Sequence, residues 1–168
     1  MASQVYAYYP GCTLHSTAKE YDQSARLVCQ ALSIELRELE DWSCCGASSA
    51  HSINHLLATA LVARDLQAAA EAGLPLAVAC ALCFSRLRQA SQELTDEATR
   101  ELVSGVLGKE LREKAEIVHL LQILESRAEN ISVRKPLPGL KVACYYGCLI
   151  VRPRVVVGID DAENPQRM

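Results

Sequence analysis

The alternation of apolar and polar positions along the chain predicts short strands. Residues 4–10 are rich in aromatic and β-branched side chains, a composition typical of a strand. Apolar and charged residues alternate over 34–40, as in a half-exposed strand, and the wholly apolar run 74–81 is typical of a buried parallel strand. After a linker that contains proline and glycine at 134–140, another strand is predicted to begin over 141–146.

Segments with apolar residues at helical spacing connect these strands. We predict helices at 16–32, 49–72, 82–94 and 96–127, the last of them broken near Gly105 and Gly108. The alternation of strands and helices predicts an α/β fold, a Rossmann-like parallel sheet that is flanked by helices and built from right-handed crossover units. In such a sheet, ligands bind beyond the carboxyl ends of the strands.

Composition and charge narrow the class of protein. The chain has 168 residues, half of them apolar, which is enough for one domain with its own core. Its net charge of −3 argues against nucleic acid as the main partner, because phosphate binding requires concentrated lysine and arginine. No apolar run approaches the length of a transmembrane segment, and the N-terminus lacks the features of a secretory signal, so we expect a cytoplasmic protein.

The chain has eight cysteines, and in the cytoplasm clustered cysteines more often bind metal or carry redox chemistry than form disulfides. Five of them follow the predicted strands. They are Cys12 after the first strand, Cys44 and Cys45 after the second, and Cys80 and Cys83, in a C-x-x-C motif, at the end of the third. Since the carboxyl ends of parallel strands meet at one edge of a sheet, we expect these five thiols to come together.

The number of thiols bears on what they could hold. Four thiolates suit tetrahedral zinc or a cubane 4Fe–4S cluster, but five are too many for one zinc ion. The side chains of Cys44 and Cys45 diverge in an extended stretch and would seldom bind one ion, whereas they could reach different irons of a polynuclear cluster. The soft thiolate set favours iron–sulfur, and a zinc site that uses four of the five thiolates stays open.

Several motifs along the whole chain carry a family resemblance. They are YYPGCTLHSTAKEYDQS, WSCCGA, CALCFSRL, ACYYGCLIVRP and DDAENP. Together they resemble the B subunit of heterodisulfide reductase, of the cysteine-rich CCG-domain family. Members of that family carry two CCG repeats, each of which binds a noncubane 4Fe–4S cluster, and the disulfide substrate is cleaved between the clusters. Carried over by position, the resemblance implies one complete ligand set, formed by Cys12, Cys44, Cys45, Cys80 and Cys83.

An internal repeat extends this interpretation to the end of the chain. YYPGC ends at Cys12 and YYGC ends at Cys148, and the two segments align as the openings of similar units. The alignment makes Cys148 the first cluster ligand of a second repeat and Cys144 an accessory thiol. The CCG and C-x-x-C motifs of a second repeat do not follow, so we predict a first CCG domain at 1–133 and a linker with the truncated start of a second domain at 134–168.

The resemblance implies an iron–sulfur protein that reduces a disulfide with electrons from partner proteins in a complex. In methanogens the family's substrate is the mixed disulfide of coenzymes M and B, and elsewhere it is another disulfide. The implied partners are the A and C subunits of heterodisulfide reductase or similar iron–sulfur and flavin proteins. Two alternatives stay open, a single-cluster electron-transfer module and a zinc-stabilised scaffold without catalysis of its own. Whether this chain is an enzyme by itself also stays open.

Other side chains have two interpretations each. His15 could donate a hydrogen bond to a cluster or shuttle a proton, but it could equally be a polar residue at a helix entry. Trp42 could cover the cluster or simply pack in the core. His51 and His55 are expected at the surface or behind the ligands, and His119 is interpreted as a packing residue. Cys29, within a predicted helix, is also interpreted as packing.

Overall fold

The computed structural model describes residues 4–47, 49–111, 115–133, 135–145 and 147–167. Within these residues the chain forms four strands, which are β1 (Gln4–Tyr9), β2 (Ile34–Glu38), β3 (Leu76–Val78) and β4 (Ile117–His119). The α-helices are α1 (Lys19–Ala31), α2 (Ala50–Ile53), α3 (His55–Ala72), α4 (Ala81–Glu93), α5 (Glu97–Leu107), α6 (Leu120–Glu125) and α7 (Cys148–Val151). A short 3₁₀ helix spans Ala128–Asn130. The predicted α/β class is confirmed.

The strands form one parallel sheet in the order β2-β1-β3-β4. Tyr8 pairs with Glu38, Tyr9 pairs with Val78, and Val78 pairs with His119. The strands therefore end level with one another. This register brings the loops that follow β1, β2 and β3 to the same edge of the sheet.

Helices cover both faces of the sheet because the buried strands are apolar on both sides. On one face, Tyr9 packs in a cluster with residues of α3 and α4, such as Val62 and Phe84. On the other face, Tyr8 packs with residues of α1 and α6, such as Cys29 and Ile123. Both tyrosine side chains are fully buried. Cys29 is fully buried as well, which confirms its predicted packing role.

The break predicted near Gly105 and Gly108 within 96–127 is confirmed at Gly108, but a strand that the sequence does not predict follows the break. Helix α5 ends at Leu107, and Gly108 takes the left-handed conformation that closes a helix. The chain then returns to the sheet as β4, whose three residues pair with β3. A strand this short lacks a periodicity of its own, and the apolar residues of α6 that follow it continue a helical pattern.

The strand predicted to begin over 141–146 is wrong where it can be tested. Residues 141–145 are exposed and irregular, and Tyr146 lies outside the described residues. The segment that follows packs on the first part of the fold instead. Ile150 and Val157 are buried in the same core cluster as α4, and Arg88 Nε donates a hydrogen bond to the Val156 carbonyl at 3.1 Å. The domain boundary at 133/134 stays a prediction.

None of the described helices is both long enough and apolar enough to cross a membrane.

Candidate functional site

The five predicted thiols lie along the carboxyl edge of the sheet. Cys12 follows β1, Cys44 and Cys45 follow β2, Cys80 caps the N-terminus of α4 after β3, and Cys83 lies in the first turn of that helix. All five are free thiols. Cys45 and Cys83 are buried, Cys80 is half-buried, and Cys12 and Cys44 are exposed, so the group extends from the core to the surface.

Neighbouring thiols are close enough to influence one another. The sulfurs of Cys45 and Cys83 lie 3.4 Å apart, within hydrogen-bonding distance for sulfur. Cys12 lies near enough to Cys44 to help raise the pKa of that thiol, although burial contributes most. Among the described residues, no three histidine, cysteine, aspartate or glutamate side chains converge closely enough to hold a single metal ion. Cys83 lies between Cys45 and Cys80 and contacts both thiols.

Two of these thiols have a pKa below the usual value for cysteine. The Cys83 thiol lowers the pKa of Cys80 to about 6, with help from the backbone of Cys83 and Leu82 at the start of α4. The hydrogen bond to Cys83 also lowers the pKa of Cys45, against the opposing effect of burial. The same contacts, together with burial, raise the pKa of Cys83. Without a bound cation, Cys83 therefore keeps its proton while its two neighbours carry thiolate character.

Gly11 allows the first loop to approach these sulfurs. Its φ of 78° lies in the left-handed region, and a Cβ at this position would lie 3.0 Å from the sulfur of Cys83. Gly46, directly after Cys45, has a φ of 70° and is buried. Both positions require glycine for their backbone conformation, and Gly11 requires it for space as well.

Hydrogen bonds to Ser43 hold the loop that carries Cys44 and Cys45. The Tyr9 hydroxyl donates to the Ser43 carbonyl at 2.7 Å. From the other side, the Ser43 backbone N–H and hydroxyl donate to Asp65 Oδ1 at 2.7 Å and 3.2 Å. We call Tyr9, Ser43 and Asp65 the Ser43 clamp. It fixes both backbone groups of the residue that precedes the cysteine pair.

Asp65 of this clamp is a buried carboxyl group. Its side chain is 1% exposed, and Oδ2 has no hydrogen-bond partner among the described residues. Burial raises the pKa of Asp65 to about 7, despite the opposing hydrogen bonds from Ser43. Sequence reasoning missed this residue. The signal that could have found it is an acidic residue on the apolar stripe of α3, three positions after Val62 and four before Ala69.

Contacts among Glu38, His15 and Trp42 connect two loops next to the cysteines. Glu38, the last residue of β2, accepts a hydrogen bond from Trp42 Nε1 at 3.1 Å and lies 3.0 Å from His15 Nε2. The rings of His15 and Trp42 meet edge to face with centroids 5.0 Å apart. The structure thus joins the loop after Cys12 to the loop before Cys44. The roles predicted for His15 and Trp42 towards a cluster stay predictions.

The remaining histidines lie away from the sulfur contacts. His119 is 2% exposed and contacts Phe84 edge to face, and its Nδ1 accepts a hydrogen bond from the backbone of Leu121 at the start of α6. Burial lowers the pKa of His119 to about 4. The predicted packing role is confirmed, with helix capping in addition. His55 is exposed, and its Nε2 lies 3.3 Å from Glu93 Oε1. His51 is exposed on α2.

Cys148 is the first residue of α7 and is exposed. Within the described part of the chain its thiol makes no hydrogen bond, and its role as a cluster ligand stays a prediction. Cys144 lies in the exposed segment before it.

Part of the chain matches a known protein family, and most of the chain is similar to curated proteins. Residues 6–88 match the family described as "CCG: Cysteine-rich domain", a span that includes all five thiols of the site. The chain is 36% identical over 165 residues to a protein of Wolinella succinogenes named 8-methylmenaquinol:fumarate reductase membrane anchor subunit, covering 95% of this chain and 58% of that protein.

Two archaeal proteins are also similar. The heterodisulfide reductase B-subunit-like protein of Archaeoglobus profundus is 30% identical over 169 residues, which covers 95% of this chain and 56% of that protein. The B subunit of the ferredoxin:CoB-CoM heterodisulfide reductase of Methanosarcina mazei is 26% identical over 164 residues, which covers 92% of this chain and 54% of that protein. The chain therefore spans a little over half the length of the curated relatives that it matches.

Proposed function

Since residues 6–88 carry a cysteine-rich CCG domain and the chain is homologous to the B subunits of heterodisulfide reductases, we propose that it is an iron–sulfur component of an electron-transferring complex. The observation that carries the proposal is the gathering of five free thiols at one edge of the sheet. Cys80 and Cys45 supply the thiolate character that binding of a soft metal requires.

The donor set fits an iron–sulfur group. The proposed ligands are Cys12, Cys44, Cys45, Cys80 and Cys83. Five thiols exceed the four ligands of a single zinc ion, so the set suits a group with several irons, such as a noncubane 4Fe–4S cluster, better than zinc. When bound, such a group supplies single electrons to a sulfur substrate or to the next redox centre. A zinc scaffold remains the alternative for the same thiols.

In this proposal, residues of the chain position the iron–sulfur group and set the protonation of its cysteine ligands. Binding requires Cys83 to release the proton that it shares with Cys45 and Cys80, so loading is expected to release protons. The Ser43 clamp orients the adjacent cysteine pair, and Gly11 keeps the first loop within reach of Cys83. Each of these contacts lowers the reorganisation that loading would otherwise require.

The first candidate reaction is reduction of a disulfide to two thiols by two electrons and two protons. It rests on the similarity to the two archaeal proteins, one of which is named as part of a CoB-CoM heterodisulfide reductase. The partners proposed are the A and C subunits of such a complex or other iron–sulfur and flavin proteins. In this proposal Cys148 is the first ligand of a second cluster site.

The second candidate is an electron-transfer module without disulfide chemistry. It rests on the similarity to the Wolinella protein, whose name places it in a quinol:fumarate reductase. The same name makes a membrane-bound complex an alternative to the cytoplasmic placement predicted from the sequence.

Anaerobic reduction and reoxidation test the proposal and separate the candidates. The purified chain is reduced with a low-potential dye and followed by visible absorbance, and a low-molecular-weight disulfide is then added. Reversible bleaching with two thiols released per disulfide supports the first candidate. Bleaching that an electron acceptor reverses but no disulfide reverses supports the second. A colourless protein that contains zinc contradicts both.

A further inference from the structure

Arg86 is a buried cation close to the cysteine site in the sequence. It lies on α4, one helical turn after Cys83, and is 9% exposed. Its Nη1 donates to the Gln89 side chain at 2.9 Å, whereas Nε is buried and has no hydrogen-bond partner among the residues that the structure describes. Within the described part of the chain, no aspartate or glutamate forms an ion pair with it.

Such an arrangement is costly unless a negative charge lies nearby. Arginine is almost never fully buried unless it is paired, and an uncompensated buried charge is strongly destabilising. The residues directly before and after it on α4, Ser85 and Leu87, are buried and uncharged, so they supply no such charge. The neutral Gln89 amide satisfies only one of the five guanidinium N–H groups.

Gln89 in turn donates to Glu93 Oε1 at 3.0 Å, so this carboxylate reaches Arg86 only through a neutral amide. The cysteine site on the same helix is a second source of negative charge. Residues three apart on a helix share a face, which places Arg86 on the same side of α4 as Cys83. The Cys83 sulfur contacts the Cys45 sulfur at 3.4 Å, so this face of α4 carries the buried thiol pair. Both sulfurs of that pair are buried, and electrostatic interactions are screened less there than at the surface.

We propose that Arg86 is the counter-charge of the anionic group held by these cysteines, and that it raises the reduction potential of that group by stabilising its more negative, reduced state. This inference rests on the proposed function, because it requires a redox-active group at Cys45 and Cys83. Arg86 is a positioning residue in this scheme, since it acts through the electric field at the buried sulfurs and is not itself a ligand.

Arg88 provides a matched control on the same helix. It is exposed, and its Nε donates to the Val156 carbonyl. Two residues of separation place it on a different face from Arg86. Its charge is screened by water, so removing it subtracts the same formal charge without removing a buried one.

The test compares redox potentials of anaerobically reconstituted protein. Arg86→Met and Arg86→Gln remove the charge, Arg86→Lys keeps it, and Arg88→Gln removes the control charge. Iron and sulfide content, circular dichroism and the midpoint potential are measured for each. Loss of the Arg86 charge should lower the equilibrium constant for reduction at least tenfold, which is about 59 mV for one electron. Arg86→Lys and Arg88→Gln should stay within about threefold of the wild type, roughly 30 mV.

The possible outcomes distinguish the inference about Arg86 from the proposed function. Either charge-removing variant that binds iron is sufficient, so a folding failure in one of them leaves the comparison intact. An unchanged potential in that variant, or an equal shift in Arg86→Lys or Arg88→Gln, overturns the inference while the proposed function stands. A wild-type protein that takes up no iron or sulfide overturns the proposed function, and the inference fails with it.

Discussion

Asp65 gives the sharpest prediction of how stability depends on pH. Its carboxyl group is buried, and its pKa is raised from 3.8 to about 7. A group whose pKa is higher in the folded state stabilises the fold below its unfolded pKa. That contribution is lost as the pH rises through the folded pKa. The wild type should therefore lose the contribution of Asp65 between pH of about 4 and about 7.

The perturbation is Asp65→Asn, which keeps an oxygen that can accept from Ser43 and removes the titration. A shift from 3.8 to about 7 corresponds to roughly 4 kcal/mol, at 1.36 kcal/mol for each pKa unit. The free energy of unfolding of the variant, relative to the wild type, should thus rise by up to about 4 kcal/mol from pH 4 to pH 7.5. Urea titrations in reducing, anaerobic buffer at several pH values measure the difference, in which all other titrating groups cancel.

Asp96→Asn is the matched control. Asp96 is the exposed N-cap of α5, and hydrogen bonds from Thr99 lower its pKa, so the sign is opposite. The control variant should lose stability relative to the wild type as the pH rises. A difference between Asp65→Asn and the wild type that stays constant to within about 1 kcal/mol over this range would refute the reasoning, since one pKa unit alone is worth about 1.4 kcal/mol.

Three further predictions concern the core and the loops of the site. Burial lowers the pKa of His119 to about 4, so the wild type should lose roughly 3 kcal/mol of stability as the pH falls from about 6.5 to about 4. His119→Gln should remove this loss. Unfolding measured over the acid range tests the prediction, and parallel pH profiles of the variant and the wild type would contradict it. Tyr9→Phe removes the hydrogen bond to Ser43 and should cost about 1 kcal/mol in urea unfolding, with faster loss of iron to a chelator than in the wild type. Gly11→Ala should lower the stability of the fold by about 1–2 kcal/mol for the left-handed backbone alone, and it should reduce iron uptake by displacing Cys83. Gly105→Ala, in open space on α5, is the control and should not lower iron uptake.

The part of the site that sequence reasoning could find is the part that local patterns encode. Each of the first three strands has its own apolar signature, and each is followed by cysteines. The rule that the carboxyl ends of parallel strands share an edge then brings Cys12, Cys45 and Cys83 together without any knowledge of the tertiary structure.

The part that it missed depends on contacts between distant segments. Strand β4 has three residues, and its identity comes from pairing with β3, about forty positions earlier. Asp65 acquires its role from Ser43, which lies on a different element. Arg86 looks like any other charged residue of a helix until its burial is known. Local propensity could not have distinguished these residues from solvated ones.

The most direct test of the central claim is the metal content of the anaerobically purified chain. If the five cysteines hold a 4Fe–4S group, the wild type should contain about four irons and four sulfides per chain. Cys45→Ser should lose most of both, and Cys144→Ser should keep them, because Cys144 is outside the proposed ligand set. About one zinc per chain with almost no iron or sulfide would contradict the claim.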